Sequence, residues 1–152
     1  VAADASFDAS LTVVNDLAEV ARAAAWLAAA AGQRAVAEPC ISRLQFGLDE
    51  ILSNVIMHGL AGVPPGTRGI ALALRVYVGR VELEIIDDGA PFDPAAYQER
   101  PRAQRVAERR PGGVGLMFTR AVIDEIRFTR RDGRNHVMLT QRLPPDSGRD
   151  AR

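Results

Sequence analysis

The stretch GIALALRVYVGRVELEIIDDG, residues 69–89, alternates apolar and polar side chains with a period of two. Ile70, Leu72, Leu74, Val76 and Val78 share one face; Val81, Leu83 and Ile85 share a face of the return strand, opposite Glu82 and Glu84. Such alternation belongs to half-buried strands, and Gly79-Arg80 fits a two-residue hairpin turn between them. Continuing the period, Asp87 points to the same side as the apolar set. A carboxylate aimed at a core face needs a partner, because an unpaired buried charge is expensive. Asp87 is therefore the first sign of a site.

Upstream, Ser6 to Val14 reads as a strand, and Asn15 is placed to cap an alanine-rich helix that runs to about Ala31 and stops at Gly32. Trp26 and Leu27 anchor its buried face. A second helix begins just after Pro39 and runs to Met57 or His58, with Gly59 as its stop. Ile41, Leu44, Leu48, Ile51 and Val55 form one stripe on it, and Glu50, Asn54 and His58 form a polar row on another side. The loop to Gly69 contains Pro64-Pro65-Gly66 and is irregular.

Downstream, Pro91 to Pro111 is proline-rich, charged and loop-like. Gly112-Gly113-Val114-Gly115 then opens a third helix, Leu116 to about Asp124. A last hairpin follows, with Ile126 and Phe128 alternating, a type I′ turn at Asp132-Gly133, and Val137 and Leu139 on the return. Strand, two helices, hairpin, loop, helix, hairpin is the order of an α+β two-layer sandwich. The expected sheet is mixed, largely antiparallel, with three helices on one face. Residues 1–152 are expected to form one domain.

Composition narrows the chemistry. All 19 basic residues are Arg, which excludes the lysine of a Walker-type phosphate loop and a Schiff-base lysine. One cysteine, Cys40, excludes an internal disulfide framework; Cys40 and His136 read as structural. Nineteen acidic residues balance the arginines, so no dedicated nucleic-acid surface is expected. No run approaches the roughly 18 apolar residues of a membrane span. A cytoplasmic protein is the expectation, and the start at Val1 suggests one trimmed at its front.

Three segments can carry chemistry. Gly112, Gly113 and Gly115 before a helix offer free backbone N–H groups and a positive dipole end to a phosphate, or else make a flexible loop or a tight helix–sheet contact. Asp87 can accept from an exocyclic amine such as that of adenine, and Gly89 permits close approach of a flat ring; the alternative is an Asp-Gly turn closing a strand. Asn54 can join a Mg²⁺ shell and Glu50, one turn earlier, can act as general base; the alternative is a solvated helix face.

Together the three match a known pattern. Residues Asp49 to Gly59 resemble the N-box of the GHKL (HATPase_c) superfamily, Asp87-Asp88-Gly89-Ala90-Pro91-Phe92 its first glycine box, and Gly112 to Leu116 with Asp124-Glu125-Ile126 its second. The subgroup they resemble is the RsbW/SpoIIAB-like anti-sigma-factor serine kinases. Pro91 stands where the wider superfamily has a second glycine, and Asn135-His136 where many relatives carry threonine near the adenine. The resemblance implies a Bergerat-type ATP-binding fold with ATP and Mg²⁺ as cofactors. It implies Glu50 as the base that activates a Ser or Thr hydroxyl, Asn54 on Mg²⁺, and Asp87 on the adenine amine over Gly89. Gly113, Gly115 and Leu116 would lie at the phosphates, beneath an ATP lid at about residues 93–111.

Within the lid, Arg102, Arg105, Arg109 and Arg110 are the candidates to meet the γ-phosphate, and Arg105 is the one carried forward. His58 is not read as a phosphoacceptor. The implied partners are a bacterial sigma factor and a STAS-type anti-sigma-factor antagonist, with no direct nucleic acid and no membrane; a homodimer is implied too. The implied activity is an anti-sigma factor with serine-protein kinase activity. The competing readings are a non-catalytic ATP-binding switch, a plain ATP hydrolase, and the ATP-binding module of a two-component-type sensor kinase.

Overall fold

A computed structural model describes residues 7–92 and 113–145. Among these residues, five strands and three α-helices follow in the order β1 (Phe7–Val14), α1 (Ala18–Gly32), α2 (Glu38–Asn54), β2 (Gly69–Tyr77), β3 (Arg80–Asp87), α3 (Gly113–Val122), β4 (Glu125–Arg131) and β5 (Arg134–Arg142). A short π-helical turn, Val55–Gly59, extends α2. The strands form one sheet in the order β1-β2-β3-β5-β4. Every neighbouring pair is antiparallel, so the mixed sheet expected from the sequence is antiparallel throughout among the described residues. The α+β sandwich stands.

The inward row of each strand is the apolar one. Leu11, Leu72, Ile85, Val137 and Phe128 lie side by side across all five strands, and Leu74, Leu83, Leu139 and Ile126 across four. Against them pack Leu27 of α1 and Leu44, Leu48 and Leu52 of α2, all fully buried. Trp26 is half-buried and packs against this core. Burying one such side chain contributes about 1.5–3 kcal/mol. α2 lies between α1 and α3. It crosses β5 and α3 closely at Gly47, where a Cβ would stand 2.9 Å from Leu139 Cδ1 and 3.3 Å from Thr119 Cγ2.

Several boundaries move from their expected places. Tyr77 pairs with Arg80, so the β2–β3 turn is Val78-Gly79 rather than Gly79-Arg80. Gly79 takes the positive φ of 84° that the turn requires, and Val78 leaves the inward row to become 97% exposed. Asn15 is not a helix cap. Its Oδ1 accepts from the N–H groups of Thr67 and Arg68 at 3.0 and 2.9 Å, and its Nδ2 donates to Pro64 O at 3.1 Å. The buried amide thus satisfies the irregular 59–69 loop, while Asp16 Oδ1 accepts from Ala18 N–H at the helix start.

α2 begins at Glu38 with Pro39 in its first turn. Its α-helical part ends at Asn54, and a wider last turn carries the helical path through Gly59, the expected stop, with Leu60 N–H donating to Val55 O at 2.8 Å. α3 starts at Gly113 rather than Leu116, which puts Gly113 and Gly115 inside its first turn, and it ends at Val122 rather than Asp124. Asp124 lies beyond it and accepts from Arg142 N–H at 2.7 Å. At the last hairpin Asp132 and Gly133 both have positive φ, 51° and 73°, the signature of the expected type I′ turn.

Candidate functional site

The apolar rows of the sheet end in a polar rung. One pair beyond Ile85, Val137 and Phe128, the same inward positions of β3, β5 and β4 carry Asp87, Asn135 and Arg130, which are paired in register. Asp87 is 3% exposed and Asn135 5%. The charge that the two-residue period aims at the core finds its partners here. Asp87 Oδ1 accepts from Asn135 Nδ2 at 3.0 Å and from Gly89 N–H at 2.9 Å. Asn135 Oδ1 in turn accepts from Arg130 Nη1 at 2.9 Å and from Phe92 N–H at 3.2 Å.

The second half of the site comes from the end of α2. The π-turn brings Gly59 against the loop after β3, where Ala90 N–H donates to Gly59 O at 2.9 Å. A Cβ on Gly89 would meet that oxygen at 2.5 Å, so only glycine fits. Between these elements lies a cavity of about 270 Å³. Ile51, Val55, Val137, Pro91, Phe92 and Phe128 give it apolar walls; Asn54, His58, Asp87 and Asn135 supply its polar groups. Phe92 and Phe128 stack with ring centroids 5.1 Å apart. A small apolar slot with one carboxylate at its end suits a flat heterocycle that carries an N–H donor.

Asn54 is 5% exposed, and its Nδ2 has no hydrogen-bond partner among the described residues. Asn54 lines the cavity, and a buried unpartnered amide on such a residue fits a site that a ligand completes. Its carbonyl oxygen also suits Mg²⁺, a hard cation that takes oxygen ligands and keeps several waters. The described residues hold no group of three or more His, Cys, Asp or Glu able to bind a metal.

The structure therefore brings Asn54, Asp87, Gly89 and His58 together. Glu50 is half-buried one turn before Asn54 and does not line the cavity. Burial raises its carboxyl above the usual range, and the Asp49 charge raises it further. Burial raises Asp49 too. Gly113, Gly115 and Leu116 lie in the first turn of α3. Arg102, Arg105, Arg109, Arg110 and the expected lid at 93–111 lie outside the described residues. His136 is on the opposite sheet face, its Nδ1 3.2 Å from Glu84 Oε1, and Cys40 is buried with its Sγ 3.8 Å from Arg142 O. Sequence reasoning missed Arg130, Phe92 and Phe128. Extending the Ile126, Phe128 alternation by two residues was the signal for Arg130.

The histidine kinase-like ATPase domain family matches residues 13–141. The chain belongs to it. It is 37% identical over 110 residues to the serine/threonine-protein kinase BtrW of Bordetella bronchiseptica, an alignment covering 70% of this chain and 76% of that one. It is 27% identical over 97 residues to the serine-protein kinase RsbW of Bacillus pumilus, covering 61% of this chain and 60% of that one. The relationship places the chain among serine/threonine kinases of the anti-sigma-factor type. Among solved structures, the RsbU and RsbW domains of Rv1364c from Mycobacterium tuberculosis match with a TM-score of 0.65 at 19% identity, over 91% of this chain and 32% of that one. That likeness supports the fold. An ATPase domain implies ATP as the nucleotide. No described helix is long and apolar enough to cross a membrane.

Proposed function

We propose that this domain binds Mg²⁺-ATP in the cavity and transfers the γ-phosphoryl group to a Ser or Thr of a STAS-type anti-sigma-factor antagonist, and that it also sequesters a bacterial sigma factor. The observation that carries the nucleotide half is the buried Asp87, whose Oδ1 is committed to two protein donors at the end of an apolar slot. Asp87 accepts from the adenine amine, and Gly89 lets the ring approach. Asn54 holds the Mg²⁺ that neutralises phosphate charge when ATP is bound. The first turn of α3, with Gly113, Gly115 and Leu116, offers backbone N–H groups to the phosphates. Arg105 of the 93–111 lid serves as a cation for them. A homodimer of single-domain chains in the cytoplasm completes the reading.

Glu50 takes the proton from the acceptor hydroxyl as its oxygen bonds to phosphorus and ADP departs. Burial and the Asp49 charge raise its carboxyl pKa, and a more basic carboxylate is a better proton acceptor. Phosphoryl transfer otherwise depends on positioning and charge. Glu50 stands apart from the cavity lining, and that favours one second reading, in which nucleotide sets partner affinity and no phosphate is transferred.

Labelled ATP, Mg²⁺ and candidate antagonist proteins separate the two. Wild type should label the antagonist, and Glu50→Gln should bind ATP yet lose transfer by about 10²–10⁴-fold. Transfer unaffected by the substitution would remove Glu50 as base; ATP binding without transfer to any antagonist would leave the switch.

A further inference from the structure

We propose that Arg130 and Asn135 are positioning residues for base recognition, fixing one Asp87 oxygen so that the other alone is offered to the nucleotide. This rests on the reading of the cavity as the ATP site. Three inward positions on three adjacent strands carry a carboxylate, an amide and a guanidinium, and they are joined in that order. Their polarity is matched end to end. Asn135 has one donor group, spent on Asp87 Oδ1 and on Ala90 O at 2.9 Å, and one acceptor, spent on Arg130 and Phe92 N–H. Donation by Arg130 to Oδ1 fixes the amide's orientation, with Nδ2 toward the carboxylate.

Arg130 does more than hold one atom. Its Nη1 also donates to Gly89 O at 2.9 Å, and its Nη2 to Gly133 O at 3.2 Å. One planar fork therefore ties the loop after β3 to the β4–β5 turn, and a point charge on a flexible stem would not reproduce it. With Oδ1 occupied by Asn135 and Gly89, the outer carboxylate oxygen is the acceptor left for a ligand. A carboxylate held in one orientation demands a donor at one place on the base. A carboxylate free to rotate accepts a less well placed donor or a water. The rung thus sets how sharply the site separates a 6-amino purine from one without that group.

The test compares binding of ATP and of purine riboside triphosphate, which lacks the 6-amino group, to the full chain. Asp87→Ala, Arg130→Ala, Arg130→Lys and Asn135→Asp are compared with wild type. Losing a hydrogen bond to a charged acceptor corresponds to about 10- to 100-fold in affinity, so wild type should prefer ATP by about that ratio. Asp87→Ala should bring the ratio near one. Arg130→Ala and Asn135→Asp should reduce it several-fold, mainly by weakening ATP, and Arg130→Lys should restore only part of it. For transfer, the same variants should raise KM for ATP more than they lower kcat.

Arg130 lies on an exposed part of an edge strand and its variant is expected to fold; unfolding midpoints verify this, and Arg130→Lys gives a second, milder probe. A wild type that binds both nucleotides equally, or an Asp87→Ala variant that keeps the preference, would overturn the ATP-site reading itself. A preference that Asp87→Ala abolishes but folded Arg130 and Asn135 variants retain would overturn this inference alone. Equal weakening of both nucleotides would make the rung merely structural and would overturn it as well.

Discussion

Gly89→Ala tests the junction between the two halves of the site. The added Cβ would lie 2.5 Å from Gly59 O, 2.8 Å from Gly59 C and 2.9 Å from Asp87 Oδ1. Even a weak C–H···O contact needs a separation of about 3.3 Å, so the loop or the π-turn must retreat by roughly 0.8 Å. That movement breaks the Ala90 N–H to Gly59 O bond, worth about 0.5–1.5 kcal/mol, and adds an overpacking cost of about 1–3 kcal/mol. The sum is about 2–4 kcal/mol, or a fall in Tm of about 5–15 °C for a domain of this size. Gly32→Ala is the control, since nothing lies within 4 Å of its Cβ position. Thermal and urea unfolding measure the loss, and nucleotide titration should show weaker ATP binding because Asp87 is pushed as well. A Gly89→Ala protein with the stability and ATP affinity of wild type would refute the close-approach argument.

Asp49→Asn removes the smaller of the two causes that raise Glu50, so the acidic limb of the transfer rate should move to lower pH. Burial, the larger cause, remains, and the limb should stop short of an ordinary glutamate; a pH–rate profile checks this. The folded state holds the Asp49 and Glu50 protons more tightly than the unfolded chain, so their contribution to stability falls as pH rises from the ordinary to the raised pKa. Urea unfolding across that window should show a flatter slope in Asp49→Asn. Asn15→Ala strands the N–H groups of Thr67 and Arg68 and should cost about 2–4 kcal/mol, whereas Asn15→Asp keeps the acceptor and should cost less by the same measurement. Gly47→Ala should destabilise by about 1–2 kcal/mol in urea, because crowding against Leu139 and Thr119 outweighs the better helix propensity of alanine.

What was legible in the sequence was what one element specifies by itself. The period of two aimed Asp87 inward, and Asp132-Gly133 announced its own turn. The helix stripe from Ile41 to Ile51 needed only a count. What was not legible depends on the partner strand or on distant chain. The slip from Gly79-Arg80 to Val78-Gly79 is one residue of register, and both fit the local pattern. Asn15 satisfies groups more than fifty residues away, so cap and tie look alike in sequence. Asp87, Asn135 and Arg130 form a rung only once β5 is known to lie between β3 and β4. For the candidate site, Asn54 and Gly89 were singled out by type and spacing. In the sequence Phe92 is only the end of the glycine box and Phe128 only one step of a strand alternation, and nothing in either pattern says that the two rings wall one pocket.

β4 carries Phe128 and Arg130 and, among the described residues, is bonded on one side only, to β5. Outer strands open more readily than inner ones, with a free energy below that of whole-molecule unfolding. A wall of the pocket can thus fray while the Leu-rich interior stays intact, and any ligand seated there must work against that fraying. Occupancy would then be recorded in amide hydrogen exchange along residues 125–131: slow when the slot is filled, faster when it is empty.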